Sequence, residues 1–384
     1  MTLTVSKSRV WRAALSVLAV AAFAGLAPWA SAAAAAPTPE ATGSPVGGEQ
    51  AALDGEDVEP AATELEPTEV PALTGHAVAQ AEATRFSRFA GVDRYDTARN
   101  LYLGGWWNRE ALVVASGENY ADALAATPFA AAHNIPIVLV GNGHIPAPTA
   151  EVFRTAREKG ANRVYLVGGT NVMTAQLRAQ IRSYGFDIAQ HFGGADRYVT
   201  AQGLAFATAE VYRNSGAPLQ KVFLVDGTNF ADALAVGPAA AANRGVILLT
   251  AGSRVPQSTW YALSKLRGER HAIGGGPVAA FKYNADGLVA GTDRYETAVQ
   301  VARTYLPNVP EVYVASGQTF PDALAGGALA ANKSASLVLC RRDDVPLTVQ
   351  QYLPPRKFAH LSVLGGDGSI SQDVVDFLVN TVGK

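Results

Sequence analysis

The chain has 384 residues, 48% hydrophobic and 17% charged, with a formal net charge of -2. That balance excludes a chain disordered as a whole, and 37 glycines without a three-residue period exclude a collagen-like one. The near-neutrality averages unlike segments: residues 1–36 carry +3, residues 37–75 carry -9 and residues 76–384 carry +4.

The first segment places Lys7, Arg9 and Arg12 before an apolar run from Ala13 to Ala27, followed by small residues around Ala30-Ser31-Ala32 and Ala34-Ala35-Ala36. This is the order of a secretory signal peptide. The run is shorter than the roughly 20 apolar residues a bilayer crossing needs. The expectation is a cleaved signal over residues 1–36 and an exported protein with no membrane attachment after cleavage. Residues 37–75 are rich in Ala, Pro, Gly and Glu and contain no aromatic residue. Such a segment cannot bury enough apolar surface to offset ordering entropy, so it reads as a disordered acidic linker.

The remaining residues repeat themselves three times. Asp93-Arg94-Tyr95-Asp96-Thr97-Ala98 recurs as Asp196-Arg197-Tyr198-Val199-Thr200-Ala201 and as Asp293-Arg294-Tyr295-Glu296-Thr297-Ala298. A second block tracks the first: Ala121-Asp122-Ala123-Leu124, Ala231-Asp232-Ala233-Leu234 and Pro321-Asp322-Ala323-Leu324. A third ends each unit with an apolar strand and paired glycines, at Gly168-Gly169, Gly274-Gly275 and Gly365-Gly366. Three units follow, over residues 85–187, 188–286 and 287–384. Their period of roughly 100 residues is that of a repeated domain, not of a solenoid.

Within unit one the pattern gives strands at Ala111–Ala115, Ile137–Val140 and Arg163–Val167, and helices at Tyr120–Ala132, Ala147–Lys159 and Thr174–Tyr184. The strands are continuous apolar runs, as expected of parallel sheets covered on both faces. The predicted fold class is α/β: three tandem three-layer modules, Rossmann-like or Toprim-like, with mostly parallel sheets. A module of this size buries only about 65% of its unfolded-chain surface, so the three repeats are expected to pack together as an intramolecular trimer.

Cys340 is the single cysteine, which excludes an intramolecular disulfide, and its apolar setting predicts a buried small hydrophobe. The six histidines show no HExxH or related spacing, so no metal or other cofactor is expected. Gly274 to Ala279 contains GxGxxA, but the other copies break it while keeping the turn, and tight strand-to-helix turns explain all three.

Each motif supports two readings. Asn119, Asn229 and Thr319, with Asp122, Asp232 and Asp322 three residues on, resemble capping boxes. They also fall in loops at the carboxyl ends of strands, where open α/β sheets bind ligands. Asp93, Asp196 and Asp293 read as N-caps. Arg94, Arg197 and Arg294 then sit in a first helical turn, where a cation opposes the dipole by about 0.3–1 kcal/mol. That cost points either to an ion pair with an acid of the second block or to contact with a carboxylate or phosphate.

The combination of Asp-Arg-Tyr-x-Thr-Ala, Ser116-Gly117 or Ser316-Gly317 (Asp226-Gly227 in unit two), Ile247-Leu248-Leu249 and a closing Gly-Gly resembles the cell wall-binding repeat 2 family. The resemblance covers all three units. It implies Toprim-like modules working in threes, which hold exported proteins non-covalently at the cell surface of Gram-positive bacteria. The implied partner is an anionic cell-wall polymer, a secondary wall polymer or a teichoic-acid-like chain. With it come candidate polymer contacts at Arg88, Arg94, Asn119, Asp122, Arg197, Asn229, Asp232, Arg294, Thr319 and Asp322. Arg88 becomes His191 and Leu288 in the other units, so if that position touches polymer the modules bind unequally. The charge of +4 over the repeats permits a polyanionic partner and falls well short of that expected of a nucleic-acid binder. A wall-modifying hydrolase or phosphodiesterase and a protein-interaction scaffold are the alternatives.

Overall fold

The computed structural model describes residues 85–382; the expected signal peptide and acidic linker lie outside the described residues. Unit one runs β1 (Arg85–Phe89), α1 (Arg94–Gly104), β2 (Ala111–Ser116), α2 (Ala126–His133), β3 (Ile137–Val140), α3 (Ala147–Glu158), β4 (Arg163–Val167), α4 (Ala175–Ser183). Unit two runs β5 (Asp187–Phe192), α5 (Arg197–Asn214), β6 (Lys221–Asp226), α6 (Phe230–Ala242), β7 (Gly245–Thr250), α7 (Gln257–Lys265), β8 (Glu269–Ile273), α8 (Gly275–Phe281). Unit three runs β9 (Gly287–Val289), α9 (Arg294–Tyr305), β10 (Glu311–Ser316), α10 (Pro321–Asn332), β11 (Ser336–Cys340), α11 (Leu347–Gln350), β12 (His360–Leu364), α12 (Gln372–Val382).

These strands form three four-stranded parallel sheets, in the orders β3-β2-β4-β5, β7-β6-β8-β9 and β11-β10-β12-β1. The α/β, parallel-sheet architecture expected from the apolar runs is therefore present in each unit. The order adds something the runs did not reveal. The opening strand of each unit lies at the edge of the preceding unit's sheet, and β1 closes the circle on β12, with Arg85 opposite His360 and Phe89 opposite Leu364. These opening strands escape a search for apolar runs because they are only partly covered; β5 buries Phe192 alone among its six residues.

The helix expected over residues 120–132 is split. A 3-10 turn at Ala123–Ala125 precedes α2, whereas the matching α6 is continuous from Phe230. Proline does not explain the difference, since Pro128 and Pro238 occupy the same place in the repeat. The split accompanies a difference in the motif acid: Asp122 directs both carboxylate oxygens to partners outside its own turn, at Gly169 and Thr200.

Each sheet has two unlike faces. Alternate residues of a strand point to opposite sides, so Leu112 and Val114 pack with Phe153, Leu177 and Ile181 of α3 and α4 in a cluster private to unit one. Val113 and Ala115 enter a single large cluster shared by all three units. Its middle is made by α2, α6 and α10, each of which touches the other two. Corresponding positions on these helices hold Thr127, Gly237 and Gly327. A Cβ on Gly237 would lie 2.9 Å from Thr127 Cβ, and one on Gly327 would lie 3.2 Å from Thr127 Oγ1. One threonine side chain thus fills the space on which three equivalent positions converge. Cys340 is fully buried, and burial pushes its thiol up to about 12, as its apolar setting predicts.

Gly237→Val is expected to lower unfolding stability by about 1–3 kcal/mol through overpacking, and adding Thr127→Ala should return part of that loss. Denaturant unfolding of the two single variants and the double variant measures the coupling; strictly additive effects would contradict the shared axial space.

Candidate functional site

Both repeated motifs gather at the carboxyl ends of the strands. Asp93, Asp196 and Asp293 cap α1, α5 and α9, each carboxylate accepting two backbone N–H bonds of 2.8–2.9 Å. The acids at the third helical position reach back past the cap: Asp96 accepts from the Val92 N–H at 3.1 Å and Glu296 from the Thr292 N–H at 2.7 Å. Val199 has no carboxylate to do so.

The arginines that follow the caps bend back toward the second motif. Nη1 of Arg94, Arg197 and Arg294 donates to the carbonyl of Gly117, Gly227 and Gly317 at 2.5, 2.5 and 2.6 Å. None of the three forms an ion pair with a carboxylate of the described residues, so the ion pair weighed from sequence is replaced by a bond to backbone. The acids it would have used are engaged otherwise. Asp122 Oδ2 accepts from the Gly169 N–H at 3.1 Å and Oδ1 from the Thr200 hydroxyl of unit two at 2.8 Å. Asp322 accepts from the Ser369 hydroxyl at 2.7 Å and from the Thr97 hydroxyl of unit one. These two acids therefore join the closing turns of units one and three to the next unit around the circle.

Asp232 departs from this pattern. Its Oδ1 is buried with no hydrogen-bond partner among the described residues, and Gly274, at φ 88°, leaves no room beside it: a Cβ there would lie 2.4 Å from Oδ2. The first glycine of the other pairs is also left-handed, at φ 141° for Gly168 and 104° for Gly365, as the turn reading requires. Desolvation raises Asp232 to about 6, with the nearby Arg294 opposing the shift and Asp226 adding to it.

The capping boxes are incomplete. Asn229 caps α6 through the Ala231 N–H at 3.2 Å, and Asn119 accepts from the Ala121 N–H at 3.0 Å in the turn before the 3-10 segment. Thr319 makes no such cap; its own N–H donates to Ser316 Oγ at 3.3 Å. Unit two also solves the loop differently. In the outer units Ser116 and Ser316 hold the turn, while Glu118 accepts from the Asn142 N–H and Gln318 from the Arg342 N–H. Thr228 is too short for that reach, and Asp226 performs both tasks, accepting from the N–H groups of Thr228 at 2.9 Å and Gly252 at 3.0 Å.

The motif aromatics had no role assigned from sequence, and the structure brings them together. Tyr120 lies 5.4 Å from both Phe230 and Phe320, and Phe230 lies 6.3 Å from Phe320, ring centre to ring centre. Arg197 lies over Tyr120 at 5.8 Å and Arg294 over Phe230 at 5.6 Å, so guanidinium groups of one unit rest on rings of the unit before. The signal was available: a side chain repeated once per unit occupies equivalent places around a threefold axis, and an apolar one near that axis must meet its copies. Arg88 is elsewhere. It donates to the carbonyls of Gly365 at 3.1 Å and Ile370 at 2.7 Å and to Gln372 at 2.9 Å, and pairs with Asp367 at 2.9 Å, tying β1 to unit three. His191 repeats one of these bonds, to the Gly168 carbonyl at 2.7 Å.

Three tandem stretches, residues 88–178, 191–280 and 289–375, match the model of cell wall binding domain 2 (CWB2). The chain belongs to the CWB2 family. It is 28% identical over 300 residues to N-acetylmuramoyl-L-alanine amidase LytC of Bacillus subtilis, covering 77% of this chain and 58% of that one. It is 25% identical over 320 residues to the amidase enhancer of the same organism, covering 82% and 42%. The chain thus spans about half the length of these relatives. Among solved structures, Cwp6 of Clostridium difficile superposes with a TM-score of 0.69 at 23% identity, covering 79% of this chain and 48% of that one. Cwp8 of the same organism gives 0.67 at 21%, covering 78% and 52%. These two likenesses establish the shared fold. Family membership associates the protein with the cell wall.

Two outcomes follow for the CWB2 repeats. Arg88→Ala should speed amide exchange over residues 360–372 of unit three while leaving β2, much nearer in sequence, unchanged; the reverse pattern would refute the circular closure. Asp232 has a folded-state value above its unfolded one, so its charged form penalises the fold. That penalty is absent near pH 4, grows as pH rises to about 6 and is complete above. Asp232→Asn should accordingly stabilise the protein at pH 7 by up to about 3 kcal/mol, with the gain vanishing near pH 4 in denaturant titrations.

Proposed function

We propose that this protein is a secreted, non-catalytic wall-attachment protein whose three CWB2 repeats jointly hold an anionic cell-wall polymer. One observation carries the reading: three arginines without a carboxylate partner among the described residues lie at the carboxyl ends of the strands, and two of them rest on rings of an aromatic cluster there. Each guanidinium commits Nη1 to a glycine carbonyl and so is pre-aimed, while its remaining N–H groups suit the oxygens of a carboxylate or phosphate. Asn119 and Thr319, exposed beside the cluster, and the partly exposed Asn229 supply neutral donors and acceptors. Asp122 and Asp322 act in this reading as supports for the loops, and Asp232 stays buried, since a carboxylate facing a polyanion would repel it.

A polymer with regularly spaced charges can engage more than one repeat at once. Weak sites at high effective concentration then give avidity without a tight single site, and the attraction weakens as salt screens it. The signal over residues 1–36 and the linker over residues 37–75 complete the proposal: export, then a spacer ahead of the wall-bound part.

Purified Gram-positive walls, intact or stripped of anionic polymer, provide the test. Binding should be strong to the first, lost from the second and reduced by raising salt from about 50 to 500 mM, beyond the range where surface charges act at distance. Arg94→Ala, Arg197→Ala and Arg294→Ala together should abolish attachment while leaving the circular dichroism of the fold intact. Equal binding to both wall preparations would sink the polymer reading.

A further inference from the structure

The amino ends of the strands in unit one hold a feature that the other units lack. Between α1 and β2 the chain reads Gly105-Trp106-Trp107-Asn108-Arg109-Glu110, the last paired with Arg163, where unit two has Ser215-Gly216-Ala217-Pro218-Leu219-Gln220 and unit three has Leu306-Pro307-Asn308-Val309-Pro310. The segment borders an open cleft of about 450 Å³ lined by Tyr102, Trp106, Trp107, Asn108, Arg109 and Lys159, among others. That volume lies within the range of small-molecule sites, about 300–1,000 Å³.

The cleft is built from fixed parts. Trp107 donates its indole N–H to the Tyr102 carbonyl at 2.8 Å, and its ring lies so close to Gly105 that a Cβ there would fall 2.1 Å from it. The Trp106 carbonyl accepts from Asn134 and from Asn332, each at 3.1 Å, and Asn332 also bonds to Asn134 at 2.6 Å. A backbone clamped from units one and three therefore carries an indole that is 81% exposed. Leaving so much apolar surface in water forgoes a large burial gain, and holding it rigid lowers the entropy cost of binding something against it. The surroundings are cationic: Lys333 lies 5.7 Å from the Trp106 ring centre, Lys159 lies 5.2 Å from that of Tyr102, and Arg109 is exposed beside them. None of these three forms an ion pair with a described carboxylate.

We infer that this cleft is a second, separate binding site, for a pyranose sugar bearing an acidic group, either carboxylate or phosphate. The apolar C–H face of a pyranose ring stacks on an indole, Asn108 meets its hydroxyls, and Arg109 and Lys159 receive its charge. Three cations exclude a cationic guest. A nucleobase would stack equally well; the choice of a sugar rests on the family's wall association, so the test reads both.

Isothermal titration of the purified protein with glucose, glucuronic acid, glucose 1-phosphate and adenosine 5′-monophosphate decides it. The acidic sugars should bind about tenfold more tightly than glucose, the worth of one charge-assisted hydrogen bond, and the tighter of the two identifies the acid. Trp106→Ala, a change at an exposed side chain, should weaken both at least about tenfold, whereas Arg109→Ala with Lys159→Ala should erase the preference over glucose. The variant lacking Arg94, Arg197 and Arg294 should titrate normally, which separates this site from the axial one. The inference fails if glucose binds as tightly as both acidic sugars, if adenosine 5′-monophosphate binds more tightly than both acidic sugars, or if Trp106→Ala binds like the parent.

Discussion

The close approach of α2, α6 and α10 is the constraint on which the rest of this protein depends. Helices normally pack with axes 8–10 Å apart, the distance depending on the side chains between them. Here Thr127 faces Gly237 and Gly327, and alanines dominate the neighbouring turns, so three helices share one small space. Each sheet sends one face into this common core and the other into a cluster of its own unit. A single repeat would leave the first face open, too large an apolar loss for a domain of this size. Three repeats covering one another's faces solve the problem without enlarging any one of them.

Once the axis is fixed, the interlocking contacts give it direction. Every unit hands its opening strand to the sheet before it and receives the next unit's strand at its own edge, with β1 and β12 completing the exchange. The hydroxyls of Thr200 and Thr97 bond to Asp122 and Asp322 of the preceding unit, and Arg197 and Arg294 rest on preceding rings. The arginine of each first motif is thereby positioned by its own unit's glycine carbonyl, and in two cases also by a neighbour's aromatic ring. The candidate site is accordingly a property of the closed circle, not of an isolated repeat.

The parallel-sheet modules were legible because strands covered on both faces read as unbroken apolar runs, Ile137–Val140 and Val246–Leu249 among them, although both lie at sheet edges. The N-caps were legible because capping is local chemistry, settled within four residues. What escaped lies between units. The opening strands β1, β5 and β9 are only partly covered and mimic loops. The partner of Asp122 is 78 positions away at Thr200, and nothing in either motif announces it. The bonds of Arg88 to residues more than 270 positions away were equally hidden, because only the closed circle brings β1 beside β12. The arginines suggested an ion pair or an anion contact because a cation in a first helical turn opposes the dipole. The fold instead bends each guanidinium to a carbonyl and gives two of the three acids to backbone N–H groups or hydroxyls.

Repetition also clarifies where the copies are free to differ. At the axis the positions converge on one space, so a larger side chain in one unit demands smaller ones in the other two, and Thr127 with Gly237 and Gly327 meets that condition. In the loops at the strand ends the demand is only that the same N–H groups be satisfied. Unit two replaces serine and a long polar side chain with Asp226 and Thr228, which keeps the bonds and adds a negative charge beside the buried Asp232. At the amino ends of the strands the copies differ again, and unit one carries a pair of tryptophans there that units two and three do not repeat. The symmetry that builds the core thus leaves its periphery open to specialisation. Differences among otherwise equivalent positions are for that reason the most informative places to look for functions the three repeats do not share.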